Sequence, residues 1–218
     1  MSTSGRTLVS RHPLVAHKIR LLRDTATHSR DFRALIAEIS SLLGYEATSH
    51  LSLVEDAKQR TTPTGAVYHG VKVAPTVALV PILRAGISMV DTFLDLLPTA
   101  RVLHIGIFRE KSTLQPVEYY NKLPSTVNVD RAIVLDPMIA TAGTINATIN
   151  ILKDWGLAGD RITVVTVVAS SEGLESLQKT HPDVTVHVAA VDDILNDAGY
   201  VVPGVGDAGD RVFNTIHD

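Results

Sequence analysis

Two kinds of apolar spacing alternate along this chain. Early on, Phe32, Leu35, Ile36, Ile39, Leu42 and Leu43 recur at helical intervals. They predict a helix over Asp31–Gly44, with Asp31 as its N-cap and Gly44 as its stop. A second helix of mixed polarity is predicted over Leu14–Arg23. From about Val73 the pattern changes to short β-branched runs: Val77–Val80, Val102–Phe108, Ile133–Leu135, Ile162–Val168 and Val184–Val191. Helical patterns return between several of these. Val90, Phe93, Leu94 and Leu97 end before Pro98; Ile145, Thr148, Ile149 and Leu152 end before Gly156; Leu174 and Leu177 come after a Ser170–Ser171 start.

Strands that read as unbroken aliphatic runs are covered by helices on both faces. The alternation therefore predicts an α/β fold, a mainly parallel central sheet flanked by helices. Glu118–Leu123 is expected to pair with the strand before it, as a β excursion around residues 102–124. No repeat, linker or composition shift divides the chain. A single domain over residues 1–218 is expected, with a helical part at about 12–50, a core at about 73–192 and a glycine-dense tail at about 193–218.

The chain has 218 residues, 45% hydrophobic and 20% charged, and a mean hydropathy of +0.17. That composition excludes disorder and collagen-like repeats. A net charge of −3 gives no bulk basic field for nucleic acid or an anionic membrane. Zero cysteines exclude disulfides, thiolate nucleophiles and zinc ribbons together. The longest apolar run, Ile162 to Ala169, is far short of the ~18 residues that span a bilayer. Met1–Pro13 has no apolar secretory core, so a cytoplasmic protein is expected.

Ligands of open α/β sheets sit beyond the carboxyl ends of the strands, so residues just past each strand end are the candidates for chemistry. After Ala132–Leu135 comes Asp136, then Pro137, Met138, Ile139, Ala140, Thr141, Ala142, Gly143 and Thr144. Small residues there let a ligand approach the backbone, two threonines offer hydroxyls, and a helix N-terminus adds free N–H groups: a monophosphate cradle. Asp136 at the strand tip suits sugar hydroxyls. The plainer alternative is a capped helix after a buried strand. Arg84, in Pro81–Gly86, comes after another strand and offers a planar fork to a diphosphate, or pairs with a carboxylate on a solvated loop. Arg109 stands just beyond Val102–Phe108. Finally, Gly204, Gly206 and Gly209 with Pro203 make the segment 199–211 neither helix nor interior strand. Such a loop lets the backbone pass very close to a ligand, or is a mobile C-terminal turn. No H-E-x-x-H pattern or other metal cluster is evident among the nine histidines. His104, His12 and His17 read as structural.

The loop from Asp136 to Thr144 resembles the ribose-5-phosphate loop of type I phosphoribosyltransferases. Pro137 stands where the general pattern has a second acid, which is similar to the uracil phosphoribosyltransferase branch. Pro81–Gly86 resembles that family's diphosphate loop, and Leu114–Pro124 and Gly199–Arg211 also look like family sequence. The resemblance extends from about Val9 to the C-terminus, weakest from Ser52 to Ala74. It implies transfer of a phosphoribosyl group from 5-phosphoribosyl 1-diphosphate to uracil. It assigns Arg84, Arg109 and Asp136 to catalysis, and the same three with Pro137–Thr144 and Asp207 to the diphosphate substrate. Val201, Gly206, Asp207 and Ala208 fall to uracil, in a hood over the base. Mg²⁺ is implied, with Asp207 near it through water or diphosphate, together with a homo-oligomer and GTP as an effector. Departures are Ser49–His50, Lys111, Ala142, Ser171 and Asn214. Ala142 replaces glycine and would cost ~1 kcal/mol if its backbone were left-handed. Asp210 and Arg211 read as a structural pair, and Tyr119–Tyr120 as packing or an oligomer contact. A rival of another class is a pyrimidine-nucleotide sensor that binds RNA on the same fold, which would need a basic patch.

Overall fold

The structure, a computed structural model, describes residues 6–109 and 116–215; the side chains of Phe108, Arg109 and Pro116 fall outside that description. So do Lys111, Leu114 and Gln115. In chain order the first half runs β1 (Arg6–Val9), α1 (Pro13–Arg23), α2 (Ser29–Thr48), β2 (Leu53–Thr61), β3 (Val67–Val73) and β4 (Val77–Leu83). A 3-10 turn (Ala85–Met89) leads to α3 (Val90–Leu96), β5 (Arg101–Val102), β6 (Ile105–Arg109), β7 (Pro116–Asn121), β8 (Arg131–Leu135) and β9 (Met138–Ile139). Next come α4 (Gly143–Trp155), β10 (Ile162–Ser170), α5 (Ser171–Thr180) and β11 (Thr185–Asp192). The last elements are β12 (Ile194–Leu195), β13 (Val201–Val202) and α6 (Ala208–Phe213).

The central sheet has the order β1-β11-β10-β8-β4-β6-β7, with β5 added beside β4 and β9 beside β10. Every pairing is parallel except β6 with β7, which is the expected excursion. Two apolar layers cover it. Phe32, Ile36 and Ile39 of α2 pack with Phe93 of α3 against Val165 and Val167. Ile145, Ile149 and Leu152 of α4 pack with Leu177 of α5 against Val164 and Val186 on the opposite face. All nine residues of β10 are buried, as a strand sandwiched between helices must be.

Four details depart from the sequence reading. The run Val102–Phe108 is two strands, because β5 pairs with Ala78 and Leu79 while β6 pairs with Ile82 and Leu83. Pro81, which has no N–H to donate, lies at the break. Helix α2 starts earlier than Asp31, after a His28 that makes no side-chain cap, and it runs through Gly44. Gly44 is interior because its missing side chain admits Phe93 and Leu96 of α3. Strands β2 and β3, antiparallel to each other, form a hairpin from the segment where the resemblance is weakest. The sequence pattern did not reveal β1 either; it pairs parallel to β11 at the sheet edge.

Candidate active site

The chain steps from β4 outward to β6, then returns across β4 to β8 and continues to β10 and β11. That reversal opens a crevice beyond the strand ends. Arg84 comes directly after β4, Asp136 directly after β8, and Arg109 is the last residue of β6. The sequence thus delivers three strand tips to one rim, with the side chain of Arg109 outside the described residues.

The cup expected to take a phosphate is local. Ile139 pairs with Ala169, and the Pro137 carbonyl accepts from the N–H groups of Val167 and Val168, so β10 fixes the loop before it turns. Ser170 then fastens the turn from below: its hydroxyl donates to the Ala140 carbonyl and accepts from the Gly173 N–H at 2.8 Å. A side chain on Gly173 would strike that same carbonyl. Ala142 has φ +61°, the left-handed conformation in which an L-residue is strained. It leads into α4, whose first residues Gly143 and Thr144 complete a cavity of about 120 Å³ together with Asp136, Met138 and Thr141.

Asp136 is half-buried. Burial pushes its carboxyl up to about 7, the Met138 N–H that it accepts pulls the other way, and the negative charge of Asp207 adds to the rise. The two carboxylates line one cavity of about 240 Å³, with Met138, Ala140, Tyr200 and Ala208 around them. This is where the cup meets the C-terminal loop. Gly206 and Asp207 are exposed and Ala208 is buried. Val201 is buried in the core, where it pairs with Leu195, and lines neither this cavity nor the cup.

Arg84 is joined to Leu83 by a cis peptide and donates to Asp210 at 3.0 Å. It lines a neighbouring cleft with Ile107, Tyr119 and Asp207. Gly86 next to it is needed for proximity rather than for unusual torsion angles, since a side chain there would meet the Leu135 carbonyl. Asp207 itself caps α6 by accepting from the Asp210 N–H at 2.9 Å. The expected Asp210–Arg211 pair gives way to other partners. Arg211 donates to the carbonyls of Leu22, Asp24, Thr27 and Val205, and lies 4.3 Å over the Phe32 ring.

Cup and hood therefore share Asp136, and hood and cleft share Asp207. Sequence reasoning passed over Tyr200, read Ser170 only as the helix start that it is, and gave Tyr119 to packing or an oligomer contact. Tyr200 lies inside the Gly199–Arg211 motif; Tyr119 reaches the cleft only through the β6–β7 register. For a magnesium ion the donor set fits one mode alone. Among the described residues no group of three His, Cys, Asp or Glu side chains is placed to hold a metal, whereas Asp207 is an exposed carboxylate lining the Arg84 cleft. Mg²⁺ that keeps its waters and arrives on a phosphate needs no more.

The family described as uracil phosphoribosyltransferase matches residues 9–215. A uracil phosphoribosyltransferase of Roseiflexus sp. (strain RS-1) is 52% identical over 97% of this chain and 99% of its own length. That of Alkaliphilus metalliredigens is 50% identical over the same shares. A solved protein of Aquifex aeolicus superposes with a TM-score of 0.87 at 32% identity, covering 95% of this chain and 98% of its own. The cup, the paired strand tips and the glycine-dense hood thus stand where a full-length sequence match also leads: the chain belongs to the uracil phosphoribosyltransferase family.

Proposed function

We propose that this protein transfers the 5-phosphoribosyl group of 5-phosphoribosyl 1-diphosphate to uracil, giving UMP and diphosphate, a step of pyrimidine salvage. The observation that carries the site assignment is the junction of cup and hood at Asp136, with Asp207 lining the same hood cavity. The C1–O bond to the diphosphate breaks, its electron pair leaving with the diphosphate. The C1–N1 bond to uracil forms with the electron pair of N1, whose proton goes to solvent.

In this reading the Pro137–Thr144 loop anchors the 5-phosphate, and that remote binding energy aligns the reacting carbon. Asp136 accepts from the ribose hydroxyls. Arg84 and Arg109 stabilise charge on the departing diphosphate. The main chain around Val201, Gly206 and Ala208 holds uracil. Magnesium, when bound, supplies positive charge to the diphosphate oxygens; Asp207 would hold it through water.

The same proposal places residues 1–218 in one domain, with a helical part at about 12–50, a core at about 73–192 and the hood at about 193–218. It locates the protein in the cytoplasm; no described helix is long and apolar enough to cross a membrane. It also includes self-association. The β2–β3 hairpin supports this, since Leu53, Val67 and Val71 are each more than half exposed. The Roseiflexus and Alkaliphilus relatives are enzymes by name, and the RNA-binding alternative has no observation in its favour.

The test is a base panel of uracil, cytosine, hypoxanthine and orotate, each with the diphosphate substrate and Mg²⁺, and then GTP added to the productive pair. UMP from uracil alone is expected; turnover of another base instead overturns the substrate assignment.

A further inference from the structure

We propose that Arg23 and Asp192 are positioning residues for base recognition, acting through the main chain of Gly204. The inference rests on the uracil reading of the hood. Arg23 ends α1 and Asp192 ends β11, so neither belongs to the loop they hold. The Arg23 guanidinium grips Asp192 with both terminal nitrogens at 2.7 Å, and one of them also donates to the Gly204 carbonyl at 2.8 Å. Asp192 in turn accepts from the Gly204 N–H at 3.0 Å. Both polar groups of Gly204 are therefore bound to one ion pair.

The Asp192 side chain is only 6% exposed and that of Arg23 22%. A buried carboxylate held by a planar fork is geometrically specific in a way an ammonium cannot reproduce. Gly204 has φ +53°, and a side chain on it would strike the Val201 carbonyl, so the loop is packed closely against Val201 here. Gly204 lies between Val201 and Gly206, two of the main-chain positions assigned to uracil. A shift at Gly204 displaces both. Arg211 ties the next residue, Val205, to the α1–α2 corner separately. Weakening the fork should therefore loosen the hood's aim without detaching it.

The experiment is steady-state kinetics on Arg23→Lys and Asp192→Asn, with thermal melting as a check of folding. Both variants should raise KM for uracil about tenfold while kcat and KM for 5-phosphoribosyl 1-diphosphate stay within about twofold. The double variant should be no worse than the worse single one, because the residues share one network. Equal changes in both KM values, no change, or failure of both variants to fold would each overturn the proposal. If the wild-type protein uses a base other than uracil, the function reading fails separately, and the same KM split for that base still decides the role of the fork.

Discussion

Arg84 and Asp210 are joined across the mouth of the crevice: a terminal guanidinium nitrogen stands 3.0 Å from a carboxylate oxygen that also accepts from the Thr215 hydroxyl at 2.7 Å. The fork assigned to the diphosphate is thus also held by a carboxylate of its own chain. Both alternatives read from the sequence, phosphate clamp and carboxylate partner, describe this one arginine. The pair is open to solvent on the arginine side, so it contributes under about 1 kcal/mol, and the diphosphate proposed for Arg84 would compete with it.

From that competition, Asp210→Asn should tighten 5-phosphoribosyl 1-diphosphate binding a few-fold at low salt, with the gain shrinking as salt rises. Calorimetry at two ionic strengths checks it. Weaker binding would mean that Asp210 presents Arg84 to the ligand rather than withholding it.

Arg109→Ala should lower kcat by about 10²–10³-fold, the size lost when one preplaced donor to developing charge is removed. An unchanged melting temperature with that loss separates the role from folding. Turnover near the wild-type value removes Arg109 from the mechanism.

Asp136 gives opposite pH trends for stability and binding. Its folded carboxyl titrates near 7, against about 3.9 for an unfolded aspartate. Between those values the folded protein holds a proton the unfolded chain has released, so this group makes stability fall as pH rises toward 7. Substrate binding through the ribose should instead strengthen as the carboxylate forms. Melting curves of the wild type and Asp136→Asn across that window should diverge, with the Asn variant lacking the Asp136 slope. Parallel curves would show an ordinary carboxyl.

At Ala142, replacement by glycine relieves ~1 kcal/mol of left-handed strain but removes a buried methyl worth ~0.8 kcal/mol. Ala142→Gly should therefore leave the melting temperature within a few degrees. Ala142→Val should cost about 2 kcal/mol or more, since a β-branched residue is a genuine outlier at this φ. Denaturant titration of both measures the contrast.

The parallel strands could be read from sequence because burial on two faces demands unbroken aliphatic runs, as in β10. The β2–β3 hairpin could not. Its faces are mostly exposed and Lys58, Gln59 and Arg60 interrupt its apolar residues, so no alternation points to a core. The ends of α2 escaped capping rules because His28 supplies no cap bond and Gly44 answers to a neighbouring helix. At the site, Asp136 to Thr144 was legible as one contiguous segment. The Arg23 fork was not: its partners lie 169 and 181 residues away, and no local pattern encodes such a meeting.

The wall that cup and hood share at Asp136, Met138 and Ala140 also bears on inhibitor design. An anionic head seated in the cup and a flat ring beneath the hood would be near neighbours, not tenants of separate sites. Joining them through a short, stiff spacer makes the second engagement intramolecular, so two weak fragments become one tight inhibitor without a new contact. The spacer's length, more than either fragment's chemistry, would then be the variable to optimise.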